Sequence, residues 1–158
     1  GHSERRHVFG ETDAQVALKV VAARRDGLIP VICVGETLEE RRAGRVDEVI
    51  LRQLAAAVQA LKGGEGRFLV AYEPVWAIGT GETATPEDAA AAHATLRAEL
   101  ESTLGIAAAL RTPLLYGGSV NPANAADLLA AAEVDGVLVG GASLDAVSFT
   151  GIAAAGAG

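Results

Sequence analysis

Methionine is absent from this 158-residue chain, which opens directly on Gly1-His2-Ser3. A single cysteine, Cys33, excludes an internal disulfide, and within the apolar run PVICVG it reads as a small buried hydrophobe. Aromatics are scarce, with one Trp, two Tyr and three Phe, so packing falls to Ala and the aliphatic residues. There is no basic excess: the formal net charge is −7, with both signs interspersed along helix-like stretches. That argues against a nucleic-acid surface, which needs a basic stripe. No apolar run approaches the ~20 residues that span a bilayer, and no signal-peptide pattern is present. These absences lead us to expect a soluble, cytoplasmic chain. Apolar residues make up 50% of it, enough for one core and one domain.

Four short apolar, β-branched runs alternate with longer amphipathic stretches: Pro30–Gly35, Phe68–Glu73, Pro113–Gly117 and Gly136–Val139. Each is apolar throughout rather than alternating, as in strands covered on both faces of a parallel sheet. The intervening helices carry their own punctuation. Thr12 can cap Asp13–Asp26, which stops at Gly27 ahead of Pro30. In Arg45–Lys62 the apolar spacing of Val46, Val49, Ile50, Leu54, Val58 and Leu61 is helical, with Gly63-Gly64 as the stop. Thr85 followed by Pro86 and Asp88 is a helix start. Asn121–Ala132 and Leu144–Ala155 complete the set. Four βα units preceded by a helix imply an α/β fold with a parallel sheet, either doubly wound or closed into a barrel. A complete eight-stranded barrel takes ~250 residues, so this chain amounts to about half of one.

Three features follow predicted strands directly, on the side where βα barrels hold their active sites. Glu73 ends FLVAYE and precedes Pro74; a carboxylate partly desolvated there gains basicity. On position alone, a strand-end acid paired with a neighbouring base or cap is the plainer reading. The second feature is glycine placement: Gly79 and Gly81, then Gly117-Gly118-Ser119, then Gly140-Gly141. Glycines admit close backbone approach, and N–H groups ahead of a helix suit a phosphate. The third is His2 beside Ser3 and Glu4. His7 and His93 receive no role, and His93, mid-helix on an Ala-rich stretch, is expected to be solvated.

GHSERR (Gly1–Arg6), CVGE (Cys33–Glu36), AYEPVWAIGTG (Ala71–Gly81), YGGSV (Tyr116–Val120) and VGGASL (Val139–Leu144) together resemble the triosephosphate isomerase family in order and spacing. The resemblance implies an eight-stranded TIM barrel, of which residues 1–158 are the C-terminal part of a single domain. It implies interconversion of dihydroxyacetone phosphate and glyceraldehyde 3-phosphate in glycolysis and gluconeogenesis. It also implies a homodimer that uses no metal and no organic cofactor. Glu73 then corresponds to the base and His2 to the neutral imidazole that polarises the carbonyl, a pairing known for this family. Ser3 corresponds to the residue that holds the base in the open state, and Glu4 to a supporting carboxylate. Gly79, Ser119, Gly140 and Gly141 match the backbone N–H groups on the substrate phosphate. Pro74, Val75 and Trp76 match the hinge of a gating lid; Ala77, Ile78, Gly79, Thr80 and Gly81 match its tip. Tyr116 and Ser119 match its latch, and Glu36 a polar partner for Trp76. Arg5, Arg6 and Glu11 read as structural ion pairs.

Two departures stand out. Glu82 follows the lid where many relatives carry lysine. The family's catalytic lysine and its asparagine neighbour follow a first strand that this sequence does not contain. The third βα loop, through which subunits pair, is absent too. The alternative is therefore a catalytically incompetent half-barrel that keeps only a phosphate-binding cup. On either reading the isolated chain, with open sheet edges at Pro30–Gly35 and Gly136–Val139, is expected to self-associate and to turn over poorly.

Overall fold

The computed structural model describes residues 1–62, 67–78 and 83–156. Helices α1 (Ser3–His7) and α2 (Asp13–Arg25) lead into β1 (Val31–Val34), α3 (Leu38–Arg42) and α4 (Val46–Leu61). After β2 (Leu69–Tyr72) come a 3₁₀ turn at Val75–Ala77, α5 (Pro86–Leu104) and α6 (Ile106–Leu110). Then follow β3 (Leu114–Tyr116), α7 (Ala125–Leu129), β4 (Gly136–Val137), a second 3₁₀ turn at Gly141–Leu144 and α8 (Ala146–Ala155). The four strands are parallel and stand in chain order, β1-β2-β3-β4. A doubly wound sheet reverses its strand order at a switch point. Here the order never reverses, and the right-handed crossovers that are the rule for parallel strands lay successive helices on one face, as in a barrel wall.

Register assigns the faces. Val34 lies opposite Tyr72, and Tyr72 opposite Tyr116. Ile32, Val34, Val70, Tyr72, Leu114 and Tyr116 all point to the helical layer and are buried there with Ile50, Leu54 and Val58 of α4 and Leu96 and Leu100 of α5. Each such side chain contributes about 1.5–3 kcal/mol by leaving water. The opposite face carries Cys33, Ala71 and Leu115, with Val31 44% exposed at its edge.

Two caps are those that the sequence signalled, and Thr37 with Glu40 adds a capping box that it did not. Thr12 and Thr85 each form a reciprocal capping box, with Gln15 and Asp88, and Pro86 is the first helical residue of α5. Gly63 and Gly64 lie outside the described residues. Three short helices, α1, α3 and α6, were not anticipated, because five residues are too few to show a period.

Three expectations are corrected. The helix placed at Asn121–Ala132 shrinks to Ala125–Leu129. Asn121 Oδ1 accepts the N–H groups of Ala123 and Asn124, and Asn124 Oδ1 accepts that of Asn121; with Ala125 N–H on Asn121 O at 3.0 Å, these bonds form a capped turn ahead of α7. The last helix begins at Ala146 rather than Leu144, since Asp145 caps it through Ser148 N–H at 2.8 Å. His93 is fully buried, not solvated. It lies on the inward stripe of α5 with Ala89, Ala92, Leu96, Arg97 and Leu100. Its ring meets Tyr72 edge-on, with centroids 6.0 Å apart, and its Nδ1–H donates to Glu133 O at 2.9 Å. Burial, foremost, pushes its pKa below the usual histidine value, so the ring is neutral.

Arg97, on the same stripe, ties α5 to the segments flanking β3 and β4. It donates to the carbonyls of Ala109 (2.5 Å) and Thr112 (2.7 Å) and to the carboxylates of Glu133 (3.0 Å) and Asp135 (2.6 Å). Asp135 also accepts Leu114 N–H at 2.8 Å. Glu133 has φ of 62°, a left-handed conformation costly for a residue with a side chain, and Arg97 and His93 pin it there. Replacing Arg97 by Met keeps the packing stem but takes the donor from two buried carbonyls and breaks the ion pairs to Glu133 and Asp135. Arg97→Met is expected to cost about 3 kcal/mol of stability, read as a lower urea midpoint at unchanged slope. A loss under about 1 kcal/mol would show the clamp to be peripheral.

Candidate active site

The register that levels Val34, Tyr72 and Tyr116 brings their successors, Gly35, Glu73 and Gly117, out side by side at the C-terminal ends of the strands. Glu73 continues the ladder, donating its N–H to Val34 O at 2.7 Å, and Gly117 does the same to Tyr72 O at 2.8 Å. A Cβ on Gly35 would lie 1.8 Å from Glu73 O, and one on Gly117 would lie 2.9 Å from Glu73 Cγ. Only glycine fits on either side of this carboxylate. The Gly35 peptide is satisfied from α4, where Gln53 accepts its N–H at 2.7 Å and donates to its carbonyl at 3.2 Å.

Glu73 is 2% exposed. Its Oε2 accepts the backbone N–H of Ser3 at 2.9 Å, and its Oε1 lies 3.5 Å from His2 Nε2. His2 is the N-cap of α1: its Nδ1 accepts Glu4 N–H at 3.2 Å. That bond leaves the proton of a neutral ring on Nε2, aimed at Glu73 and the open side of the site. Glu4 therefore orients His2 through its backbone, while its side chain sits on an exposed residue. Arg6 fixes the approach to α1, donating to Gly1 O (2.7 Å), Cys33 O (3.1 Å) and Asp13 (2.6 Å). Buried Glu11 pairs with Lys19 and with Arg5 at 3.7 Å. Cys33 is buried beneath the carboxylate; desolvation first, and the Glu73 charge second, push its thiol up to about 12. It is a packing residue.

His2 and Glu73 open onto a cavity of about 510 Å³ lined by Gly117, Gly118, Ser119, Leu138, Gly140 and Gly141, among others. A Cβ on Gly140 or Gly141 would meet nothing within 4 Å. A Cβ on Gly118 would fall 2.2 Å from the hydroxyl oxygen of fully buried Tyr116. Ser119 donates both its N–H (2.9 Å) and its hydroxyl (2.6 Å) to Ala77 O, so its N–H is committed in this state. Among the described residues lining the cavity, none is Lys or Arg.

Beside the cavity Glu36, fully buried, accepts Trp76 Nε1–H at 2.9 Å and the Tyr72 hydroxyl at 3.0 and 3.1 Å. Burial, then the Glu36 charge, raise the Tyr72 hydroxyl well above its ordinary value. Pro74, Val75, Trp76, Ala77 and Ile78 are described, the middle three as the 3₁₀ turn. Gly79, Thr80, Gly81 and Glu82 lie outside the described residues.

The structure thus gathers His2, Glu73, Ser119, Gly140 and Gly141 around one cavity, while Ser3 holds Glu73 from behind through its N–H, Glu4 holds His2 and Tyr116 lies against Gly118. Sequence reasoning missed Gln53 and the lining role of Leu138. Leu138 carried a signal, since it directly follows β4; Gln53 looks like any polar residue on a helix.

Fold and site define a class: a TIM-type βα-barrel chain that carries a carboxylate–imidazole pair at the C-terminal ends of its strands. The family model described as Triosephosphate isomerase matches residues 1–156. The triosephosphate isomerase of Delftia acidovorans is 58% identical over 155 residues, covering 98% of this chain and 62% of that protein. Those of Moorella thermoacetica and Ralstonia nicotianae are 56% and 54% identical, each covering 96% of this chain and 61% of the relative. The chain belongs to the triosephosphate isomerase family, whose fold is the TIM barrel, and it spans about three-fifths of the length of these relatives.

The α1 cap makes a prediction about His2. ¹⁵N NMR of the ring at neutral pH is expected to show the Nε2–H tautomer, with Nδ1 unprotonated. Glu4→Pro, tolerated in a first helical turn, removes the N–H donor and should abolish that preference. A wild-type ring protonated on Nδ1 would mean that α1 does not orient it.

Proposed function

We propose that these residues serve a triosephosphate isomerase that interconverts dihydroxyacetone phosphate and glyceraldehyde 3-phosphate through an enediolate, without a cofactor. The observation that carries this is the Glu73–His2 juxtaposition: a buried carboxylate and an oriented N–H donor on one glycine-lined cavity. Isomerisation needs a base at the carbon α to the carbonyl and a donor at the oxygen that becomes negative. Glu73 takes the proton from one carbon and returns it to its neighbour. His2 Nε2–H hydrogen-bonds the developing oxyanion and passes a proton between the two oxygens. No proton is gained or lost overall.

The remaining roles are part of the same proposal. Ser119, Gly140 and Gly141, with Gly79, offer backbone N–H groups to the phosphate. Ser119 must exchange Ala77 O for the ligand, so phosphate binding loosens the turn that carries Trp76. Ser3 N–H holds Glu73 until substrate arrives, and Glu4 holds His2. Pro74–Trp76 act as the hinge of a lid whose tip runs from Ala77 through Ile78 and Thr80 to Gly81, with Tyr116 and Ser119 as its latch. Closure expels water and favours proton return over loss of phosphate from the enediolate. The cation facing the phosphate comes from the family's lysine, outside this chain. We place residues 1–158 as the C-terminal part of a single barrel domain. The whole enzyme is then a cytoplasmic homodimer of glycolysis and gluconeogenesis.

The half-barrel reading, a phosphate cup without chemistry, draws on the lack of Lys or Arg among the described lining residues. One experiment separates the two. In the barrel completed with the N-terminal βα units, Glu73→Gln is expected to lower kcat by about 10²–10⁴-fold, with phosphate affinity within about threefold of wild type. Near-normal turnover in the variant would remove Glu73 as the base. Phosphate binding without turnover in the unsubstituted protein would favour the cup.

A further inference from the structure

Arg41 sits on α3, a five-residue helix that buries none of its own side chains. Its guanidinium nevertheless meets three partners on three other segments. Nη2 donates to Asp88 Oδ1 at 2.5 Å, Nη1 lies 3.7 Å from Glu36 Oε1, and the guanidinium carbon stands 4.7 Å over the Trp76 ring. Trp76 is held at its N–H edge by Glu36 and on its face by Arg41. Asp88 is the third residue of α5 and closes its capping box with Thr85.

The turn that Trp76 centres begins two residues after Glu73 and ends at Ala77, whose carbonyl holds Ser119. We infer that Arg41 is a positioning residue: stacked on Trp76 and anchored to Asp88, it fixes the Val75–Ala77 turn against the start of α5, and through that turn sets Glu73 and Ser119. This deepens the isomerase reading and, for its kinetic arm, rests on it.

The chemistry requires arginine in particular. A planar guanidinium can stack on an indole and still reach two carboxylates in its own plane, which an ammonium cannot. The carboxylates also divide the task. Glu36, buried and shared with Tyr72, is fixed, so it supplies a rigid stop for the Trp76 N–H. Asp88 is 30% exposed at its side chain and bridges to a different helix, so it determines where the guanidinium lies over the ring.

The test is ¹⁹F NMR of protein labelled with 5-fluorotryptophan, the Trp76 resonance being assigned by Trp76→Phe, together with kinetics of the completed barrel. Arg41→Met should shift the Trp76 resonance and lower kcat about tenfold with KM within about twofold. Asp88→Asn keeps an oxygen for the Thr85 N–H while weakening the anchor, and should move the resonance in the same direction by less. Arg41→Lys should recover only part of both effects. The double variant Arg41→Met/Asp88→Asn should be no worse than Arg41→Met alone, since both act along one route. An unmoved Trp76 resonance, full rescue by lysine, additive losses, or a rise in KM at constant kcat would each overturn the inference. The resonance needs no turnover, so a protein without isomerase activity would defeat the functional reading while this arm still decides the role of Arg41.

Discussion

A carboxylate between two glycines is the constraint on which the rest of this structure depends. The backbone and side chain of Glu73 come so near to Gly35 and Gly117 that a single added carbon on either would collide with them. That closeness follows from parallel pairing, which places the residues after β1, β2 and β3 at one level. Once Glu73 is confined, its two oxygens have fixed neighbours: Ser3 N–H on one, His2 Nε2 on the other. Moving any of the three strands would separate them. The seat of Glu73 is thus a consequence of register, while the segments after β3 and β4 line the cavity it faces.

Two supports act at a distance from it. Gln53 of α4 carries the Gly35 peptide, so the helical layer holds the strand end that makes room for Glu73. Glu36, itself held by Tyr72, and Arg41 contact Trp76, so the chain leaving Glu73 departs in a defined direction. Both supports place polar atoms in buried surroundings, where an unpaired group costs more than a pair contributes. Each is accordingly complete: Gln53 uses oxygen and nitrogen together, and the Glu36 carboxylate accepts from two separate donors.

Much of the fold was legible from the chain alone. The four apolar runs became the four strands, each trimmed by a residue or two, because a strand fully buried in a parallel sheet needs no polar alternation. Thr12, Thr85 and Pro86 announced their helices through local chemistry that no tertiary contact overrides. Where reading failed, the local and global signals disagreed. The Ala-rich setting of His93 suggested solvent, yet the spacing of Ala89, Ala92, Leu96 and Leu100 already put His93 and Arg97 on the inward stripe. In 121–124 the asparagine side chains bond the N–H groups of a turn that leads into α7, which periodicity cannot register.

The candidate site divides along the same line. His2, Glu73 and the glycine pairs were visible because the motifs and the strand-end position each marked them. The sequence by itself determined which residues could act, since residue identity and strand placement are local facts. Its periodicity left open a doubly wound sheet or a barrel; the family motifs implied the barrel, and the chain-order pairing of the strands, a long-range property, agrees with it. Only the tertiary structure decided that Glu4 serves through its backbone, that Ser119 is committed to Ala77, and that Gln53 and Arg41 matter at all. Those facts are distances between groups up to tens of residues apart, and register and packing set such distances, not the identity of any residue or its neighbours in sequence.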